Sequence, residues 1–277
     1  MSLSQLGLIL SQEEKKEEAE PLYRRALAIR RKAYGSVHPD IATSLNNLGR
    51  MLLDKGDYEG AESMFREAVE LDRKILGNDH PDLAVTISSL AYTLKEENEF
   101  VESEKLFREA LSLRRRTLGN EHPAVAISLY NLGSLMIGKK DFDQAEPLLL
   151  EAQALWKKVL PEKHSSHATV LVAIGKVQMG NQNLKEAEEM FRQAIEMRVQ
   201  ILRPDHPNIA NAKGALGECL TLQKRFQEAE PLLLESYNAI LKKYGKDHPD
   251  VDEAGSRLIS LYTAWGKPTE AVRYEHQ

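Results

Sequence analysis

The chain holds eight histidines, and five stand before a proline: His38-Pro39, His80-Pro81, His122-Pro123, His206-Pro207 and His248-Pro249. Imidazole can hold a metal or move a proton at neutral pH. A shared zinc ion would need every ligand within about 2 Å. These histidines recur at intervals of 42 residues, with one gap of 84 filled in register by His164 before Ser165. Each therefore belongs to a different unit, and helices of stacked units lie about 8–10 Å apart. A metal centre is not expected. His164 and His167 could share a helix face but have no evident third ligand. Cys219, the single cysteine, falls in register with Met51, Leu135, Val177 and Leu261 and reads as a small buried filler. No Walker loop, dinucleotide-binding glycine pattern, HExxH or nucleophile elbow occurs. The expectation is a chain without enzymatic activity and without a cofactor.

The elements that carry these residues follow from the same period. Leu6, Leu48, Leu90, Leu132, Ile174, Leu216 and Leu258 form one column, and Gly7, Gly49, Ala91, Gly133, Gly175 and Gly217 form the next. A third runs through Ala61, Ser103, Ala145, Ala187 and Ala229, and further columns pass through Phe65 and Ala68. A period of this size is the mark of a repeat architecture. Within a unit, Leu45, Leu48 and Leu52, and likewise Ala61, Phe65 and Ala68, are three or four residues apart, which is helical spacing. The second repeat reads as helix A from about Pro39 to Leu53, a turn at DKGD, and helix B from about Tyr58 to Leu76. Gly49 and Ala61 are expected where A and B cross closely, with Phe65 filling the wider gap above them. Neither helix buries its apolar stripe alone, so each pair stacks on the next. The expected class is all-α, a solenoid of stacked antiparallel helix pairs. It forms a single array over 1–277, with repeats at about 1–38, 39–80, 81–122, 123–164, 165–206 and 207–248 and a partial unit at 249–277.

The histidine connector now has a structural reading. Gly77 can take the left-handed conformation that closes helix B, and Pro81 suits the first turn of the next helix. Asp82 adds negative charge at that helix's positive end. His80 lies between stop and start, and packs or caps there. Pro21, Pro147 and Pro231 share one column early in helix B, where each removes a backbone donor and can bend the helix.

Charge and composition narrow the partners. A net charge of −5 gives no reason to expect nucleic acid. No run approaches the roughly 20 apolar residues of a membrane helix, and residues 1–10, MSLSQLGLIL, lack a basic leader. The reading is cytoplasmic, without membrane insertion. Helix A of the first unit begins at LSQLG. At the other end Val251–Trp265 reads as helix A and Pro268–Gln277 as the start of helix B. Gly255 and Arg257 weaken the apolar pattern there, and Trp265 could cover the end. Exposed terminal stripes are a liability in solenoids, so self-association through the terminal repeats is an alternative use of the chain.

The segments His38–Gly77 (HPDIATSLNNLGRMLLDKGDYEGAESMFREAVELDRKILG) and His122–Leu155 resemble the tetratricopeptide repeats of kinesin light chains and of nephrocystin-3-like proteins. The likeness runs through essentially the whole chain. It implies a right-handed superhelix whose A helices line a concave groove for an extended peptide or protein segment. The resemblance also implies asparagines that hold the peptide backbone and basic side chains that meet acidic ones. In this register the groove candidates are Asn46, Asn47 and Arg50, then Tyr92 and Lys95, then Tyr130, Asn131 and Ser134, then Lys176 and Asn211. Tyr92 and Tyr130 are the aromatic anchor candidates. A chaperone-tail carboxylate clamp is not expected, because Val85 and Ser89 stand where bases are needed. Basic clusters late in helix B, such as Arg30-Arg31-Lys32, Arg73-Lys74, Arg114-Arg115-Arg116 and Lys157-Lys158, suit the negative helix end. A basic ridge for an acidic partner is the other reading. The expected function is a noncatalytic interaction module. The alternative is a structural or oligomerisation segment of a larger scaffold.

Overall fold

The computed structural model describes Leu6, Gly7, Leu10 and residues 16–274. Most of the helix expected around LSQLG, and the end of the segment expected to start the last helix B, lie outside these residues. The described chain is all-α. Its helices are α1 (Lys16–Tyr34), α2 (Pro39–Lys55), α3 (Tyr58–Leu76), α4 (Pro81–Glu96), α5 (Phe100–Leu118), α6 (Pro123–Gly138), α7 (Phe142–Val159), α8 (Ser165–Gly180), α9 (Leu184–Ile201), α10 (Pro207–Leu222), α11 (Phe226–Tyr244), α12 (Pro249–Ala264) and α13 (Pro268–Ala271), with a 3₁₀ turn at Val272–Tyr274. The chain divides within α6 into two compact units, Met1–Leu135 and Met136–Gln277.

In the N-terminal unit α2 pairs with α3 and α4 with α5, and successive pairs stack. Ile41, Leu45, Leu48 and Leu52 of α2 are buried, as their spacing requires of one helix face. Opposite them Ala61, Phe65 and Ala68 of α3 are fully buried. The small column is needed for a more specific reason than a close crossing with Ala61. A Cβ added at Gly49 would lie 2.9 Å from the Phe65 ring, so the ring itself occupies the room that glycine leaves. Burying a phenylalanine this way contributes on the order of 1.5–3 kcal/mol.

Helix α2 ends at Gly56, whose φ of 80° lets the backbone turn while its N–H reaches Leu52 and Leu53 carbonyls. The equivalent position in later repeats is Asn98, Lys140, Gln182 and Lys224, all at positive φ, and then Gly266. The turn geometry is retained although only two of the six residues are glycine. The pairing of neighbouring helices is strong enough to hold a left-handed residue at modest strain.

The connector histidines are N-caps. His38, His80, His164, His206 and His248 each have extended backbone, and Nδ1 accepts from the N–H two residues on. His122 does the same with the N–H of Ala124 at 3.1 Å. An imidazole thus takes the place usually held by a serine or aspartate oxygen and satisfies an orphan helix donor. Nδ1 must be unprotonated to accept. Among the described residues no group of three or more histidine, cysteine, aspartate or glutamate side chains is placed to hold a metal.

In the C-terminal unit α8 pairs with α9 and α10 with α11, and α12 closes with the short α13. The same packing recurs. A Cβ at Gly175 would come within 2.7 Å of the Phe191 ring, and one at Gly217 within 2.6 Å of Leu233. Cys219 is fully buried, and its thiol donates to the Leu184 carbonyl at 3.3 Å. Burial pushes that thiol above its ordinary pKa, the opposite of what a nucleophile needs. Pro147 and Pro231 lie inside helices that continue past them, as Pro21 does in α1. Trp265 stacks on Phe226 with centroids 5.7 Å apart and holds the Lys267 ammonium 3.2 Å from its own centroid. Arg257 pairs with Glu253 on its own helix and with Glu218 of the preceding repeat, so a charge that breaks the apolar pattern of the last unit is matched.

No helix among the described residues is long and apolar enough to cross a membrane.

Candidate functional site

The B-helix arginines tie repeats together. Arg31 reaches Glu67 at 2.6 Å, Arg66 reaches Glu102 at 2.7 Å, and Arg73 reaches Glu109 at 2.8 Å, each joining one B helix to the next. Glu102 and Glu62 hold the Arg66 guanidinium above even its ordinary pKa, and Arg66 lowers Glu102 in return. These exposed pairs each contribute about 0–1 kcal/mol. A second set turns inward. Arg114 is 5% exposed and donates to Ser128 Oγ at 2.6 Å and to the Ala84 and Ala124 carbonyls at 3.4 Å. The helix-end reading of the basic clusters therefore covers only part of their role.

The A helices of the N-terminal unit carry two adjoining depressions. One, of about 380 Å³, is lined from α2 by Pro39, Ala42, Thr43, Asn46, Asn47 and Arg50, from α3 by Phe65, Asp72, Ile75 and Leu76, and from α4 by Asp82, Val85, Thr86 and Ser89. The other, of about 640 Å³, is lined by Arg50 and Leu53, by Pro81, Asp82, Val85, Ser88, Ser89 and Tyr92, by Arg114 and Leu118, and by His122, Ala124, Ile127 and Asn131. They share Arg50, Asp82, Val85 and Ser89, so an extended segment can cross from one to the other.

Helical spacing puts these side chains on one face. Thr43, Asn46, Asn47 and Arg50 are three, one and three residues apart on α2, and Val85, Ser89 and Tyr92 are four and three apart on α4. Most of the apolar stripes of these helices are spent on the core. Val85, Tyr92 and Ile127 are not, at 55%, 42% and 45% exposure, and all three line the larger depression.

Of the residues picked out from the sequence, Asn46, Asn47, Arg50, Tyr92 and Asn131 line the depressions. Asn46 is partly committed, because its Nδ2 donates to Thr86 Oγ1 at 3.2 Å. Lys95 pairs with Glu96 at 2.6 Å and stands 4.9 Å over the Tyr92 ring. Tyr130 and Ser134 are half-buried on α6, and neither is among the lining residues. Lys176 on α8 and Asn211 on α10 belong to the C-terminal unit. Sequence reasoning named Val85 only as a position lacking a clamp base and did not name Ile127. Their signal was available: they occupy one column at the period of 42, apolar at helix positions outside the core stripe.

Asp72 is the other residue the sequence did not single out. It is 8% exposed and accepts from Thr86 Oγ1 at 2.7 Å. Burial pushes its carboxyl above the ordinary carboxylate range, the Thr86 hydrogen bond opposes this, and Asp82 adds to it.

The fold and sequence have known counterparts. A tetratricopeptide repeat family model matches residues 1–74, 40–101, 82–158 and 166–242. The fold is similar to that of BtubC (BKLC) from P. vanneervenii, with 21% identity, TM-score 0.64 and coverage of 84% of this chain and 94% of that one. It is similar to a Podosopora anserina protein with nearly identical TPR-like repeats of kinesin light chain type, with 23% identity, TM-score 0.58 and coverage of 76% and 99%. The apo form of RapI superimposes with TM-score 0.71 at 15% identity, covering 98% of this chain and 93% of its own. No curated protein sequence matches the chain. The matches to solved structures speak for the fold, whereas the family model, which spans most of the sequence, speaks for descent: the chain belongs to the tetratricopeptide repeat family.

Proposed function

We propose that this chain is a noncatalytic protein-binding module that holds an extended segment of its partner along the A-helix face of the N-terminal unit. Repeats of this family serve in general as protein–protein interaction scaffolds. The observation that carries the reading is the set of Val85, Tyr92 and Ile127, three exposed apolar side chains in one depression. Apolar side chains gathered in a concave patch are the usual mark of a binding surface, whereas scattered ones are ordinary. Asn47 and Asn131 flank them, and each amide can both donate to and accept from an extended backbone. The register is that of the resemblance to kinesin light chain repeats, in whose segment Asn46 and Asn47 fall.

An acidic partner draws no support from the B-helix ridge, because Arg31, Arg66 and Arg73 already face carboxylates of the next repeat. The groove reading is tested by panning a random nonapeptide phage library on the full chain and titrating a synthetic copy of an enriched peptide. Val85→Asp and Ile127→Asp are expected to weaken binding by about ten-fold or more each, equal to about 1.4 kcal/mol, with the circular dichroism spectrum unchanged. Affinity indifferent to both substitutions would remove the groove from this face.

A further inference from the structure

One B-helix column holds a buried aspartate where three other repeats hold arginine. Arg30, Asp72, Arg114, Trp156, Arg198 and Ile240 occupy equivalent positions of the 42-residue period, so arginine holds three of the six, two carry buried apolar side chains, and Asp72 is the acidic one. Arg30, Arg114 and Arg198 each send Nη1 to the backbone carbonyl ten residues on, at Asp40, Ala124 and Asn208. Arg30 and Arg114 also reach the hydroxyl fourteen residues on, at Ser44 and Ser128. In three repeats a guanidinium thus sits between a B helix and the first turns of the next A helix, and in two more the position is filled by Trp156 and Ile240.

Asp72 keeps half of that pattern. It meets the hydroxyl fourteen residues on, Thr86, but it is too short and of the wrong charge to reach the carbonyl of Asp82 ten residues on. What the arginines fill elsewhere is open here. Asp72, Asp82 and Thr86 together line the smaller depression, with Asn46 beside them. Among the described residues no lysine or arginine pairs with Asp72, although it is more than nine-tenths buried. A buried carboxylate without a cation destabilises the fold unless something else compensates. Its hydrogen bond from Thr86 compensates in part. Arg50 also lines the depression but is itself exposed, and the two aspartates outnumber it.

We propose that this depression is a pocket for an arginine of the bound segment, whose guanidinium stands where three other repeats hold their own and pairs with Asp72. The pocket rests on the reading of this face as a peptide groove, and it specifies that groove's ligand: an arginine in the smaller depression and an apolar side chain on Val85, Tyr92 and Ile127 in the adjoining one. Arginine is favoured over lysine because its planar fork can serve the carboxylate and a carbonyl at once.

The probe is again a nonapeptide selected by panning on the full chain. The selected sequences are expected to carry an arginine at a fixed spacing from an apolar residue. Replacing that arginine with citrulline, which keeps the shape and removes the charge, is expected to weaken binding by about ten-fold or more. Asp72→Asn in the protein should cause a similar loss, and the two changes combined should lose little more than either alone. Asparagine can still accept from Thr86, so the melting temperature of Asp72→Asn should be unchanged or higher. If that variant fails to fold, Asp82→Asn, an exposed position, is expected to show a smaller loss with the arginine peptide and none with the citrulline one. Selected peptides without arginine, equal affinity for the citrulline peptide, or full affinity in folded Asp72→Asn would overturn the pocket. If binding still needs Val85 in those cases, the groove stands and only the pocket falls. If panning yields no binder, or Val85→Asp changes nothing, both fall together.

Discussion

The two units share a core and differ on their A-helix faces. Gly49 makes room for Phe65 in the N-terminal unit as Gly175 does for Phe191 in the C-terminal one. On the face, the column that holds Thr43, Val85 and Ile127 in the first unit continues as Thr169, Asn211 and Glu253 in the second. The column of Arg50, Tyr92 and Ser134 continues as Lys176 and Glu218. In the second unit Glu218 is taken up by Arg257, and Lys213 pairs with Glu235. The packing columns cannot vary without disturbing two neighbouring repeats, whereas the face columns touch solvent and are free to diverge. The divergence is therefore where a partner would be recognised, and the apolar members fall in the first unit.

The comparison can be broken most severely in the shared core. Phe65→Ala and Phe191→Ala should each cost about 3–5 kcal/mol, read as a lower midpoint in urea. A much smaller loss for one of them would show that the two units are not packed alike. Gly49→Ala and Gly175→Ala improve helix propensity by up to about 1 kcal/mol but push a methyl into an aromatic ring. Net destabilisation of about 1–3 kcal/mol is expected, and a gain in stability would refute the packing account of that column.

On the faces the two units should respond differently. Val85→Asp should weaken the selected peptide by about ten-fold or more, while Thr169→Asp and Asn211→Asp should leave its affinity unchanged. All three should stay within about 0.5 kcal/mol of the parent in stability, as surface changes do. Equal losses from both units would spread the binding surface beyond the first. The caps are common to both units. His80→Ala and His164→Ala should each cost about 1 kcal/mol, with metal content unaffected.

The smallest effect is acidic. His206 has its pKa lowered, chiefly by burial and then by Lys243, Arg198 and Arg203. The unfolded chain binds that proton more readily, so the cap's stabilisation is complete above about pH 6.5 and is lost as pH falls through the lower native value. The parent should lose stability over that window, and His206→Asn, which caps without titrating there, should lose less.

Much of this was legible beforehand because it is local. Helix A and helix B of the second repeat follow from apolar residues three and four apart, and α3 begins and ends at Tyr58 and Leu76 as read. The stop and start around His80 are written in adjacent residues. The turns were less legible. Asn98, Lys140, Gln182 and Lys224 hold a left-handed conformation that their identities do not announce, because the flanking helices impose it. Among groove candidates, Asn47 and Tyr92 were found through register, but Val85 was weighed only as an unfilled clamp position and Ile127 was not singled out.

The sequence by itself determined the period, the helix pairs, the stop and start at each histidine connector and the column of small residues, since each depends on neighbours within a turn or on simple recurrence. Only the tertiary structure decided which exposed residues share a depression, and that Asp72 sits buried in a space where three other repeats keep a guanidinium. Those facts depend on residues ten, fourteen and more than forty positions apart meeting in three dimensions, and on what a shorter side chain fails to fill. No pattern along the chain measures an empty volume.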